Sequence, residues 1–213
     1  MGNRRKIWLS SALLGGSLIV WSTAFAALTF NVVIDTTSLA GTNATLAFDF
    51  LDGGPPSNTV VLSTLTSNGT QGASSTTGDV TGAGPWTFSD LGNTSFVNEL
   101  LVDFAPLATA LSFSFTASDN PPDTGFSPDS FQFTILDSTS QLPLIATDDP
   151  LETDNLFLIS LGQGAQGLNV YNPILAPDQI FSIEVTPANV PEPATLALLV
   201  AGLGAMFRRR RLV

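Results

Sequence analysis

"LSFSFTAS", Leu111–Ser118, is the stretch whose reading decides the fold. Leu111, Phe113 and Phe115 recur at every second position with serines between them, and only a β-strand sends alternate side chains to opposite faces. One face is bound for a core and the other for water. The same period runs through "SFQFTILD" (130–137), with Phe131, Phe133 and Ile135, and through "ATLAFDFL" (44–51), with Leu46, Phe48 and Phe50. "LTFNVVID" (28–35) places Leu28, Phe30, Val32 and Ile34 on one face, and "IFSIEV" (180–185) offers Ile180 and Ile183 less regularly. "TVVLSTL", "PWTFSDL", "LPLIAT", "NLFLISL" and "LNVYN" add shorter candidates, for about ten strands in all.

The segments between the runs carry turn chemistry. "LDGGPPSN", "SDNPPDTG" and "LGQGAQG" combine Gly, Pro, Asn and Asp, which supply positive φ, fixed φ and local side-chain acceptors. "TSNGTQGASSTTGDVTGAG" (66–84) reads as a long flexible connection or a loosely paired hairpin. Only "SFVNELLVDFA" (95–105) admits a helix, and its Val and Phe content leaves a strand open. Many short strands with no intervening helices point to an all-β fold, an antiparallel β-sandwich of jelly-roll type. The phenylalanines are expected in its core rather than as a ligand platform.

Charge is distributed unusually. All seven Lys and Arg residues lie at positions 4–6 and 208–211, and the chain has no His and no Cys. Residues 27–189 therefore hold every acidic residue except Glu192, 17 of the chain's 18, and no cationic side chain. No side-chain salt bridge can form there, so stability must come from burial and backbone pairing against self-repulsion. Nucleic-acid binding is disfavoured, because neutralising phosphates needs Lys or Arg. Disulfide staples are impossible. A divalent cation would be welcome.

The two ends read differently from the body. "MGNRRKIWLSSALLGGSLIVWSTAFAA" has a basic head, an apolar run from Ile7 to Trp21 and the small residues Ala24 and Ala26 around Phe25. This is the layout of a secretory signal peptide over 1–26, with cleavage expected after Ala26. At the other end, Ala194–Phe207 is an apolar helix candidate of 14 residues. At ~1.5 Å per residue it covers about 21 Å of a ~30 Å hydrocarbon core, short for a permanent span. Pro191, Glu192 and Pro193 precede it as a stiff, extended, hydrogen-bond-poor segment. Arg208, Arg209, Arg210 and Arg211 follow it and should hold the extreme C-terminus on the cytoplasmic side during transient inner-membrane insertion.

Val-Pro-Glu-Pro, a short apolar helix and a terminal arginine cluster, in that order, resemble the PEP-CTERM sorting signal, here over 190–213. The resemblance implies a Gram-negative bacterium with an exosortase, a membrane-embedded cysteine transpeptidase that recognises and processes the signal. On that reading the chain is a substrate and the nucleophile belongs to another protein. The resemblance further implies an association with exopolysaccharide and biofilm matrix, and delivery to the periplasm, the outer surface or the extracellular matrix. The body, with "GDVTGAGPWTFSD" and "ATDDP…NLFLISL" among its runs, is similar to short exported PEP-CTERM proteins whose ectodomain has no assigned activity. The expected organisation is a signal peptide (1–26), a sandwich ectodomain (27–189) and the sorting signal (190–213).

Chemistry in the body is limited by its side chains. Without His, Cys, Lys or Arg, the common nucleophile and base pairings and imidazole zinc sites are missing, so no enzymatic activity is expected. Carboxylate-dependent glycoside hydrolysis is the remaining catalytic alternative, for which Glu99, Asp103 and Glu184 are candidates. A carbohydrate-binding module is a second alternative, with Trp86 and Tyr171 as the aromatic platforms left after signal removal. Calcium is the one cofactor considered, since hard oxygen ligands suit it. Asp148, Asp149, Glu152 and Asp154 place four carboxylates within seven residues, and Asp119, Asn120 and Asp123 form a weaker group. Neither has EF-hand spacing, and Asx-turns on a solvated face are the favoured reading of both.

Overall fold

A computed structural model of the protein describes residues 27–63, 65–92 and 95–188. The expected signal helix with Ala24 and Ala26, and the sorting segment from Pro191 to Arg211, lie outside the described residues. Among the described residues, no helix is long and apolar enough to cross a membrane.

The two-residue period becomes two antiparallel sheets. The first contains β1 (Leu28–Asp35), β3 (Thr59–Leu62), β4 (Thr66–Ser67), β6 (Val80–Gly82), β7 (Trp86–Ser89), β9 (Ala110–Ala117) and β13 (Ser182–Pro187). Its order is β13-β1-β9-β3-β7-β6, with β4 also paired to β9. The second contains β2 (Ala44–Leu51), β5 (Gln71–Thr77), β8 (Val97–Phe104), β10 (Ser130–Asp137), β11 (Phe157–Ser160) and β12 (Leu168–Val170), in the order β12-β11-β10-β2-β8-β5. The chain crosses between sheets after β1, β2, β4, β5, β7, β8, β9 and β12, which makes the fold a sandwich rather than a meander.

Phe30, Phe48, Phe50, Phe115, Phe131 and Phe133 are all fully buried between the sheets, on the faces that the alternation assigns to the core. Phe115 stacks on Phe157 at 5.4 Å, and Phe48 lies 4.8 Å from Phe133, so rings from opposite and adjacent strands interlock. Each such ring pair adds about 0.5–1.5 kcal/mol beyond the burial of its surface. A sheet protein with no ion pairs available depends on this.

One segment left open by the sequence is decided, and two depart from the sequence reading. Ser95–Ala105 holds β8 and not a helix: Asn98, Leu100, Val102 and Phe104 point inward at strict two-residue spacing, and the strand pairs with β2 along its length. At the last strand the inward residues are Phe181, just before it, and Ile183 and Val185 within it, while Ile180 is exposed. "LPLIAT" forms no strand and contributes only isolated bridges, Leu136 to Pro143 and Thr147 to Pro173. Within the long Ser/Thr/Gly segment, β5 is a fully exposed edge strand on β8 with a register shift between Gln71 and Ser74. Small polar side chains and a bulge blunt that edge against further strand addition.

Candidate functional site

The ends of four strands meet at one end of the sandwich. Leu51 pairs with Ser130 in the second sheet, so the next residues outward, Asp52 and Asp129, sit side by side just past the ladder. Thr59 pairs with Ser89 in the first sheet, which places Asn58 beside Asp90 in the same way. Asp90 from one sheet thus faces Asp52 and Asp129 from the other. One oxygen from each of the three carboxylates lies within 4.8 Å of the other two.

Asn58 is the hub. Its backbone N–H donates to Asp90 Oδ2 at 3.0 Å, and its Nδ2 donates to Asp129 Oδ2 at 2.7 Å. Its Oδ1 accepts from Asn120 N and Ser118 Oγ, both at 2.9 Å. Asn58 therefore ties its own β2–β3 loop to the β9–β10 loop through its side-chain amide and to the β7–β8 loop through its backbone N–H. Asp129 Oδ1 accepts from Gly53 N at 2.7 Å, and Asp52 Oδ1 from Gly54 N at 2.7 Å. Gly53 is needed here for space: a Cβ would run into the carbonyl oxygens of Ser127 and Pro128.

The electrostatics are unfavourable as they stand. Asp90 and Asp129 are 3% and 2% exposed, and no cationic side chain exists in residues 27–189 to compensate them. Burial pushes the Asp129 carboxyl up to about 6, the hydrogen bonds from Asn58 and Gly53 oppose the shift, and the Asp90 carboxylate adds to it. Asp90 Oδ1 is buried with no hydrogen-bond partner. The other such side-chain atom among the described residues is Asn98 Nδ2, a donor that enters the core from β8 at the same end.

The acidic residues singled out from sequence occupy other places. Asp148 accepts from Asn172 N and Nδ2, at 2.7 and 2.8 Å, clipping two loops together at the surface. Those bonds, the side-chain one first, hold its carboxyl below the usual range. Asp149 is buried, which raises its carboxyl, but bonds from Thr153 Oγ1, Leu151 N and Asn155 outweigh that and leave it lowered. Asp154 Oδ1 accepts from Thr147 N at 2.9 Å, and Glu152 and Asp154 both adopt positive φ in the turn. These four carboxylates do not converge as the Asp52 group does; three of them build a turn. Asp119 likewise caps the backbone of Gly162 and Gly164, and Asn120 belongs to the Asn58 hub.

Glu99 and Asp103 lie four residues apart on the outer face of β8, separated by about 13 Å of strand. Glu184 is on β13 in the other sheet. The three hydrolase candidates are not brought together. Glu99 instead faces Asp49 across the strand pair, and burial first, then the Asp49 charge, raises its carboxyl. Trp86 is a core residue, 2% exposed, and Tyr171 is half-buried near Asp148 and Asp149.

The sequence offered a faint sign of the convergent group. Asp52, Asp90 and Asp129 each stand immediately beside a strand end, where the chain leaves or enters a ladder. They are dispersed along the chain, and only the pairing of β2 with β10 and of β3 with β7 brings them together.

No curated protein and no solved structure matches the chain. Residues 189–211 match the PEP-CTERM protein-sorting motif. The chain is thus an all-β protein that carries a PEP-CTERM sorting signal after its sandwich, and it is an exosortase substrate exported and sorted to the cell envelope.

Proposed function

We propose that the sandwich is a structural or adhesive component of the envelope or extracellular matrix of a Gram-negative bacterium, associated with exopolysaccharide and without catalytic activity of its own. The sorting motif at residues 189–211 is the observation that carries this reading. The composition of the body supports it. With no His, Cys, Lys or Arg between residues 27 and 189, the side-chain groups that activate most nucleophiles are missing. The separation of Glu99, Asp103 and Glu184 on two sheets also gives no pair flanking a cleft.

A carbohydrate-binding reading has one observation in its favour. An open groove of about 330 Å³ crosses the first sheet where β3 gives way to β4, lined by Asn31, Ser63, Thr66, Ser112 and Ser114. Its hydroxyl and amide groups suit sugar hydroxyls, although neither Trp86 nor Tyr171 lines it.

Cell fractionation combined with intact-mass measurement tests the proposal. The mature chain should lack residues 1–26 and the Arg208–Arg211 cluster, and should move from the envelope or matrix fraction into the medium when exopolysaccharide synthesis is deleted. Retention of Phe207 and the arginines contradicts processing. An unchanged distribution without exopolysaccharide contradicts the matrix association.

A further inference from the structure

We propose that Asp52, Asp90 and Asp129 form a calcium site that ties the two sheets together at one end of the sandwich. Two independent observations carry it. The first is convergence: three carboxylate oxygens from three separate loops lie within 4.8 Å of one another. Opposite ligands of a calcium ion stand about 4.6–5.2 Å apart, so these oxygens fit around one ion at its ordinary ligand distances. The second is an unfilled acceptor. Asp90 is 3% exposed, and its Oδ1 has no hydrogen-bond partner, while the donors of Asn58 are spent on Asp90 Oδ2 and Asp129 Oδ2. A buried carboxylate oxygen left bare costs about 1–3 kcal/mol or more, and a ligand is one way of removing that cost.

The donor set selects the kind of ion. All three side chains are hard oxygen ligands, and the body has no His or Cys to draw a softer transition metal. Three direct carboxylates on loops suit calcium, which accepts six to eight oxygens in loose geometry, better than magnesium, which keeps several waters and one or two carboxylates. Half-buried Asp52 gives the ion a path from solvent. No Lys or Arg of the body competes for the carboxylates. The hydrogen bonds of the hub leave acceptor capacity for an ion: Gly54 N and Asn58 N each hold one oxygen of Asp52 and Asp90, and the two Asp129 oxygens, which accept from Gly53 N and Asn58 Nδ2, each keep a further lone pair. The alternative relief is a proton shared between Asp90 and Asp129, which needs no ion.

The full chain, stripped with EGTA, is titrated with calcium chloride by calorimetry and melted with and without the ion. One site per chain is expected in the ~0.1–1 mM range of extracellular calcium modules. At a hundredfold excess over the dissociation constant, the melting midpoint should rise by about 5–10 °C. Asp90→Asn and Asp52→Asn should each weaken binding at least ~10-fold, while exposed Asp178→Asn should leave it unchanged. Because Asp90→Asn keeps the side-chain shape, its melt in EGTA should not fall below that of the parent. Absence of binding at 10 mM calcium overturns the site and leaves the shared proton. Weak binding lowered equally by Asp178→Asn shows only a diffuse acidic surface, and also overturns it.

Discussion

Two acidic groups of this protein, one of four carboxylates and one of three, differ in how their oxygens are arranged. In the 148–154 loop, the carboxylates follow one another in sequence, and three of the four accept bonds from backbone or side-chain donors in or beside that loop. Asp52, Asp90 and Asp129 come from three loops and two sheets, and they meet with one buried oxygen unfilled. A dense run of Asp and Glu therefore marks a turn being built, whereas a ligand site needs carboxylate oxygens that converge and keep acceptor capacity. Local density and spatial convergence are separate properties, and only the second concerns a cation.

The sharpest way to break the contrast is to remove an acceptor from the first group. Asp149→Ala should destabilise the protein by about 2–4 kcal/mol, because Leu151 N, Thr153 Oγ1 and the Asn155 amide lose a shared acceptor in a buried turn. Urea denaturation should give the same loss with calcium and with EGTA. A loss seen only in calcium would make the 148–154 loop the cation site.

Gly53→Ala attacks the second group through its backbone. The added methyl has no space beside the Ser127 and Pro128 carbonyls, so the loop must shift by a fraction of an ångström at a cost of about 1–3 kcal/mol. The shift displaces Asp52 and the Gly53 N–H bond to Asp129, so calcium binding should weaken along with stability. Normal calcium affinity in this variant would mean that the carboxylates do not act as a unit.

Acidity separates the groups by sign. Asp129 has a raised folded value of about 6, so without metal the folded state holds a proton more firmly than the unfolded chain does between pH 4 and 6. Stability in EGTA should therefore fall as pH rises through that window. Asp149 has a lowered value, so its contribution is complete above the unfolded value of 3.8 and is lost only on further acidification. Denaturation in chelator should show a maximum near pH 4–5, and Asp129→Asn should flatten the high-pH side. The raised carboxyls of Asp49 and Glu99 act in the same direction and will leave a residual slope. The smallest effect is expected from Asp148→Asn, since an exposed amide oxygen can still accept from Asn172 N. Its denaturation curve should overlay the parent's.

The fold was largely legible because its signal is local. Phe113 and Phe115, or Phe131 and Phe133, alternate with polar residues in a way that only a half-buried strand satisfies, and all four are in the core. Legibility failed where that signal is weak. β5 has no apolar residue larger than Ala73 to alternate, and Ile180 and Ile183 are three apart, so the inward Phe181 was not apparent from spacing alone. Ser95–Ala105 mixes Leu, Val and Phe so that helix and strand propensities nearly balance, and pairing with β2 decides the outcome. The candidate site was illegible for a different reason. Asp52, Asp90 and Asp129 acquire their proximity from strand register, and no property of "LDGG", "FSDL" or "PDSF" alone carries that information.

The central claim is that the convergent group holds a cation and the contiguous one does not. A crystal structure of the full chain grown in calcium, with an anomalous difference map recorded at long wavelength, tests it most directly. The account predicts a peak coordinated by Asp52, Asp90 and Asp129, with oxygen distances of about 2.3–2.6 Å, and no peak among Asp148, Asp149, Glu152 and Asp154. A map with the ion in the 148–154 loop, or with no ion between the three aspartates at saturating calcium, would contradict it.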